Sequence, residues 1–136
     1  MADFWIADRR TSNAEGFYSN NPADAGGETL WGIARNRNPQ WEGWSIVDQY
    51  KKKSNFPTNM RNDTNLYRLR GNFYKANYWD TIRGDEIQSQ RVANEMYDTG
   101  VNMGVGMSIR FSQRAAGLAE TGRMNTELLK YLNSLV

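Results

Sequence analysis

Residues 15–18 read Glu-Gly-Phe-Tyr, and residues 24–33 read Asp-Ala-Gly-Gly-Glu-Thr-Leu-Trp-Gly-Ile. Turn formers at residues 20–22, Asn-Asn-Pro, separate the two stretches, and the second stretch contains a Gly-Gly pair. This composition predicts a short irregular β-hairpin or a long loop over residues 17–34. The region therefore holds two acids, Glu15 and Asp24, across a turn, which suits acid-assisted bond cleavage such as glycoside hydrolysis.

Helical patterns flank this region on both sides. Apolar periodicity and capping residues predict helices over residues 3–15, 39–52, 63–78, 85–100, 107–116 and 128–135, with a break at 79–84. Within the fourth of these helices, a common polar stripe carries Arg91, Glu95, Asp98 and Asn102. The pattern predicts an α+β domain that is predominantly α-helical, with the small hairpin or loop placed after the first helix.

The composition excludes several classes of chemistry. The chain has 136 residues, enough for one domain with its own core, and no internal repeat is visible. It contains no Cys and no His, which excludes thiol nucleophiles, Ser-His-Asp triads and the usual zinc ligands. Catalysis would have to use carboxylates, hydroxyls, amides, Lys or Arg.

The charge and the N-terminus bear on partners and location. A net charge of +2, from 17 basic and 15 acidic side chains, is too small to predict nucleic-acid binding. Residues 1–10 contain acids and arginines but no apolar core of a signal peptide, and no stretch is long enough to span a membrane. We therefore expect cytoplasmic synthesis without a signal peptide and no stable membrane insertion.

Several motifs in register resemble glycoside hydrolase family 108, the N-acetylmuramidases with a lysozyme-like fold. The family's Glu-Gly-Gly-Tyr and Asp-x-Gly-Gly-x-Thr-x-x-Gly-Ile correspond to residues 15–18 and 24–33, with Phe17 replacing the second glycine. Its Tyr-x-x-x-Tyr-Trp segment is similar to residues 74–79, its Asp-x-x-x-Asn-x-Gly pattern to residues 98–104, and its Gln-Arg-Ala run to residues 113–115. The resemblance covers residues 4–117.

The resemblance implies a lysozyme-like catalytic domain over residues 1–117. Residues 118–136 would be a C-terminal helix and a shortened remnant of a peptidoglycan-binding region. The implied activity is hydrolysis of the β-1,4 bond between N-acetylmuramic acid and N-acetylglucosamine, with peptidoglycan glycan strands as the substrate. No metal or organic cofactor is implied. The chain would act as a monomer at the bacterial cell wall, as a phage endolysin or a bacterial secretion-associated muramidase released through a holin-type pore.

The resemblance also assigns roles to three residues of the opening stretch. Glu15 would be the general acid, which requires a raised pKa that nearby aromatic rings can supply. Asp24 would serve as base for a water or stabilise positive charge at the sugar carbon, or it would instead be an Asx-turn residue that orders the loop. Thr29 would hydrogen-bond the attacking water, or it would be an ordinary strand residue.

Five further residues are candidates for substrate binding. Two are aromatic and lie in the opening stretch, Tyr18 and Trp31; three are polar and lie on the stripe of the helix near residue 95, namely Glu95, Asp98 and Asn102. For the polar residues, the alternative is a buried pair, Asp98 with Asn102, that ties the helix to a neighbouring loop. Glu95 is also a reserve catalytic candidate.

Two other functions remain open from the sequence. A lytic transglycosylase would use Glu15 alone and leave an anhydro product. A non-catalytic wall-binding or phage structural module would keep the cleft but would not digest purified walls.

Overall fold

The computed structural model describes residues 1–12 and 16–135. In chain order, its elements are α1 (Phe4–Ser12), β1 (Tyr18–Asn20), β2 (Glu28–Leu30), β3 (Ile33–Ala34), α2 (Gly43–Lys51), α3 (Thr64–Tyr74), α4 (Gln90–Met103), α5 (Val105–Ala116) and α6 (Thr126–Asn133). The chain divides into two compact units. We call Ala14–Phe73 the sheet unit, and Met1–Asn13 with Tyr74–Val136 the helical unit.

The sheet unit contains a three-stranded antiparallel sheet in the order β1-β2-β3. Residue Thr29 on the middle strand pairs with Ser19 on one side and with Ala34 on the other. A two-residue loop joins β2 to β3, and both of its residues, Trp31 and Gly32, have positive φ (47° and 85°). Such a loop matches the twist of a hairpin, so the expected hairpin is present and carries one strand more than a single hairpin has.

Two helices pack beside this sheet. The helix α2 begins at Gly43, four residues after the predicted start at Pro39. Trp41 packs so closely against Gly43 that a Cβ there would come within 2.3 Å of the indole ring, so this position requires glycine. Trp44 and Val47 form its buried face. The helix α3 begins at Thr64, and the Asp63 carboxylate accepts a hydrogen bond from the Leu66 amide at 2.8 Å, which confirms Asp63 as its cap.

The helical unit is built around α1 and α4. Three rings, Phe4, Trp79 and Tyr97, meet edge to face with centroids 5.6–6.0 Å apart. The fully buried core continues with aliphatic side chains along the later part of the chain, namely Ile82, Ile87, Ala93, Ile109 and Leu128.

Several helix boundaries differ from the sequence-based prediction. The helix predicted to start at Asp85 starts at Gln90, because the buried Ile87 is extended and the Ser89 hydroxyl then accepts a hydrogen bond from the Val92 amide. The helix α3 passes into a π-helical turn, Lys75–Trp79, instead of remaining α-helical to residue 78. The last two helices each begin two residues earlier than predicted, at Val105 and Thr126.

The predicted fold class, α+β and predominantly helical with a small sheet after the first helix, is confirmed. The residues of α6 belong to the helical unit, where Leu128 and Leu132 are buried. That residues 118–136 are a remnant of a wall-binding region stays a prediction. Among residues 1–12 and 16–135, none of the helices combines the length and apolar character needed to cross a membrane.

Candidate active site

The predicted general acid, Glu15, lies outside the described residues. The described chain stops at Ser12, the last residue of α1, and resumes at Gly16. Gly16 and Phe17 lead directly into β1. The residues that follow Glu15 in the chain and surround the predicted site therefore belong to the sheet unit.

A cavity of about 200 Å³ lies on the sheet unit immediately after position 15. Its lining is formed by Gly16, Phe17, Tyr18, Ser19, Thr29 and Gly32. Thr29 is half-buried at the centre of the sheet, where neighbours on both sides hold its backbone. The structure therefore brings Thr29 together with the aromatic residues of the opening stretch.

Asp24 lies on the exposed loop between β1 and β2. The Asx turn of this loop is made by Asn21, whose side chain accepts a hydrogen bond from the Ala23 amide at 3.0 Å. Asp24 contributes through its backbone, because its carbonyl accepts a hydrogen bond from the Gly27 amide at 3.0 Å. Its carboxylate forms no hydrogen bond or ion pair with another residue of the described ranges.

The rest of the loop is shaped by two other residues. Gly27 has a φ of 66°, and a Cβ at this position would lie 2.6 Å from the Asn36 side chain. That side chain donates a hydrogen bond to the carbonyl of Ala25 at 3.2 Å. The loop geometry therefore depends on Asn21, Gly27 and Asn36, and the Asp24 carboxylate is left exposed to solvent.

A buried ionic network lies under the sheet, and the sequence analysis did not anticipate it. Glu28 is buried. Its Oε2 accepts a hydrogen bond from the Tyr18 hydroxyl at 2.5 Å and lies 2.6 Å from the Lys51 Nζ, while its Oε1 accepts a hydrogen bond from Arg35 at 2.9 Å. Arg35 also binds both oxygens of Asp48 at 2.8 Å. Strand alternation is the signal that was available, because Glu28 shares the inward face of β2 with the buried Leu30.

The network shifts the protonation of its members. Burial by itself would raise the pKa of Glu28, but hydrogen bonds from Lys51, Tyr18 and Arg35 outweigh it and lower that pKa. Burial, with the hydrogen bond to Glu28, raises the pKa of Tyr18 well above its usual range. The Tyr18 hydroxyl is therefore protonated at neutral pH and committed to Glu28, which leaves its ring as the part able to meet a ligand.

Trp31 belongs to a row of aromatic rings on the sheet unit. Its ring lies 5.3 Å from that of Phe17 and 5.4 Å, edge to face, from that of Tyr67. The guanidinium of Arg61 lies over the Phe17 ring at 4.6 Å. We call Phe17, Trp31 and Tyr67 the aromatic row; Tyr67 is exposed, and the other two are half-buried.

The three polar candidates on α4 belong to the helical unit. Glu95 is exposed and pairs with Arg10 of α1 at 3.2 Å. Asp98 is half-buried and accepts a hydrogen bond from the Thr11 hydroxyl at 2.9 Å. Asn102 is exposed and donates to the Asp98 carbonyl at 2.9 Å. Asp98 therefore contacts helix α1 where a neighbouring loop was expected, and Asn102 is not buried.

A second polar contact between the same helices was not predicted from the sequence. Asp8 is buried on α1 and accepts a hydrogen bond from the Tyr97 hydroxyl at 2.8 Å. Asp8 and Thr11 are three residues apart, so both face α4. Their burial could not be predicted from the sequence, because polar side chains are mostly exposed and are buried only where they find hydrogen-bond partners.

Possible metal ligands do not cluster in the described part of the chain. No group of three or more Asp or Glu side chains there is arranged so that it could hold a metal ion.

Comparisons with known proteins point to one family. The sequence profile described as Glycosyl hydrolase 108 matches residues 9–104. A search of curated proteins finds no match. Among solved structures, Brucella abortus SagA matches with a TM-score of 0.63 and 20% sequence identity, over 98% of this chain and 70% of that one. At this identity the likeness shows the fold, and the expected lysozyme-like fold is confirmed.

Proposed function

Since this chain belongs to glycosyl hydrolase family 108, we propose that it is an N-acetylmuramidase that hydrolyses the β-1,4 bond between N-acetylmuramic acid and N-acetylglucosamine. Family membership makes the chain a glycoside hydrolase of the peptidoglycan-degrading kind. The bond that is cleaved and the residues that cleave it are the content of the proposal.

The general acid in this proposal is Glu15. It would protonate the glycosidic oxygen, which requires a carboxyl group that keeps its proton near neutral pH. Apolar surroundings raise the pKa of a carboxyl group. The aromatic lining of the cavity that begins at Gly16 supports this role, because Phe17 and Tyr18 lie two and three residues after Glu15 in the chain.

The observation that carries the proposal is that Thr29 lines the cavity formed by the residues directly after Glu15. A threonine hydroxyl can donate one hydrogen bond and accept others, so it can orient a water beside the sugar carbon. In this role Thr29 holds the attacking water, and the sheet fixes its position through both neighbouring strands.

Asp24 activates that water or stabilises the positive charge that develops on the sugar ring. Two observations support this role over a purely structural one. Its carboxylate is exposed and has no partner within the described residues, and the Asx turn that it was a candidate to form is made by Asn21. A carboxylate that the loop does not use is available to a substrate.

The remaining candidates would bind the glycan strand. Trp31 and the ring of Tyr18 offer apolar faces to sugar rings, while Glu95, Asp98 and Asn102 offer oxygen and nitrogen atoms to N-acetyl and hydroxyl groups. Glu95 and Asn102 are exposed, which supports their availability. A monomeric endolysin released through a holin-type pore remains the proposed biological setting.

The proposal is tested by mass spectrometry of purified peptidoglycan after digestion by the wild type and by Glu15→Gln. We expect products with reducing muramic ends from the wild type and almost none from the variant. Anhydro-muramic ends would identify a lytic transglycosylase. Intact walls after wild-type treatment would identify a non-catalytic wall-binding module, and equal digestion by the variant would disprove the assignment of Glu15.

A further inference from the structure

A second, larger depression lies beside the cavity that Thr29 lines, on the same sheet unit. It has a volume of about 430 Å³ and is lined by Arg61, Asn62, Asp63, Thr64 and Tyr67. The aromatic row joins the two depressions: Phe17 lines the first, Tyr67 lines the second, and Trp31 contacts both rings. A strand held at Thr29 would therefore extend over the row toward the second depression.

The charged groups of this depression are Arg61 and Asp63. Both oxygens of Asp63 are occupied, since one accepts from the Tyr50 hydroxyl at 2.5 Å and the other from the Leu66 amide at 2.8 Å. The guanidinium of Arg61 is exposed and forms no ion pair within the described ranges. Among the residues that line the depression, Arg61 is therefore the cation, and it is not paired with the Asp63 carboxylate, whose oxygens are held by Tyr50 and the Leu66 amide.

The orientation of Arg61 also suits an anion. Its guanidinium lies against the face of Phe17, so the ring restrains the planar group on one side. A guanidinium held in this way keeps its N–H donors directed outward in its own plane, which is the geometry that binds a carboxylate through two parallel hydrogen bonds. The Arg61 side chain therefore loses less conformational entropy when it binds a ligand than an unrestrained surface arginine would lose.

We propose that Arg61, with Asn62, Thr64 and Tyr67, forms a subsite for a carboxylate carried by the peptidoglycan strand. The proposal rests on the proposed function and adds a specificity determinant to it. The carboxylate has two possible sources, the lactyl group of muramic acid where the peptide stem has been removed and the acidic residues of an intact stem. Arg61 binds this carboxylate, and the exposed face of Tyr67 supports the adjoining apolar atoms.

Arg61→Gln tests the subsite by removing the charge while keeping a polar side chain of similar length. We expect the wall concentration that gives half the maximal rate to rise roughly fivefold, as for the loss of one exposed charge-assisted contact, with kcat unchanged. Arg61→Lys should give an intermediate rise. Arg68→Gln is the matched control, because Arg68 is exposed on α3, donates to the Asn65 side chain and does not line the depression.

Three wall preparations separate the sources of the carboxylate. On walls whose carboxylates have been converted to methylamides, wild type and Arg61→Gln should have the same half-saturating concentration. An amidase removes the stems and frees the lactyl carboxylates, so a difference that appears or grows on stripped walls identifies the lactyl carboxylate, and a difference that is present on untreated walls and lost on stripped walls identifies the stem.

The inference is wrong if Arg61→Gln has an unchanged half-saturating concentration on both untreated and stem-stripped walls, or if its loss is equal on methylamidated walls. Either outcome means that Arg61 only covers Phe17. These results differ from a failure of the proposed function, in which the wild type itself releases no fragments. In that case the binding of both proteins to untreated and methylamidated walls can be compared by co-sedimentation. The proposal is supported if Arg61→Gln binds untreated walls more weakly than the wild type does, while the two proteins bind methylamidated walls equally.

Discussion

Asp24 and Asn21 have different roles in the exposed loop between β1 and β2. Asn21 makes the side-chain hydrogen bond that shapes the turn, and the Asp24 side chain has no such task within the described residues. A catalytic role and a structural role therefore predict different consequences for the same pair of substitutions.

Asp24→Asn should lower kcat about 100-fold, the lower end of what a positioned acid or base contributes, and leave the thermal midpoint unchanged. The reason is that the substitution removes a charge from an exposed side chain while preserving its shape. Asn21→Ala should lower the midpoint by removing the Asx turn but retain most of kcat. Initial rates on purified walls and thermal unfolding measure both; full activity of Asp24→Asn would mean that Asp24 has no part in the reaction.

At the scale of elements, the end of α1 is held against α4 by two polar contacts. Thr11 donates to Asp98, and Tyr97 donates to Asp8, on consecutive turns of α1. The two contacts therefore fix the last turns of α1 against α4.

A double-mutant cycle between Thr11→Val and Asp98→Ala measures this contact. Each single variant should lower the free energy of unfolding by about 1 kcal/mol, and the double variant should lose little more than either one, because both remove the same hydrogen bond. Arg10→Ala is the control, since its pair with Glu95 is exposed and should contribute little. Fully additive effects would show that Thr11 and Asp98 do not act together.

Elements with strong local signals could be predicted from the sequence. The Asp63 cap and the hairpin have such signals, since Asp63 is followed by an apolar helical pattern and residues 20–27 are rich in turn formers. The start of α2 could not be predicted, because its N-cap residue, Glu42, makes no side-chain capping hydrogen bond and so leaves no capping signal in the sequence. Likewise, the Glu28 network joins residues far apart in the sequence, and only the folded sheet unit reveals it.

At the scale of the whole molecule, charge is distributed unequally. Residues 14–73 carry eight Lys or Arg and six Asp or Glu, so the net charge of +2 lies entirely in the sheet unit. The helical unit is balanced. A mildly basic sheet unit suits a polyanionic wall, and it is the unit that carries Thr29 and Arg61.

Acid should destabilise the fold, because hydrogen bonds and ion pairs in the folded protein lower the pKa of several carboxyl groups. Five described residues have a pKa lowered in this way, namely Glu28, Asp48, Asp63, Glu86 and Glu120. A carboxyl whose pKa is lower when folded stabilises the protein above its unfolded pKa, and this stability is lost as the pH falls through the folded pKa. We expect the thermal midpoint to fall progressively below about pH 4.3, the unfolded value for Glu.

Glu28→Gln measures how much the buried carboxylate of Glu28 contributes to this pH-dependent stability. It leaves Arg35 and Lys51 without their shared buried partner, so we expect a loss of about 2 kcal/mol at pH 7. The difference from the wild type should shrink as the pH falls below about 4.3, where the unfolded carboxyl takes up its proton, and it should be lost as the pH falls through the lower folded pKa of Glu28. Thermal unfolding across this pH range gives the comparison; a difference that stays constant with pH would contradict the role of Glu28.

The helical unit is discontinuous in the chain, and this has a consequence for biosynthesis. Helix α1 buries Phe4 and Ala7 in a unit whose next residues come only after Phe73, and it packs against α4, which begins at Gln90. A ribosome therefore completes the whole sheet unit before it supplies the partner that α1 requires. During translation the apolar face of α1 therefore stays uncovered until α4 has been synthesised, whereas the sheet unit, which lies between them in the chain, can fold earlier.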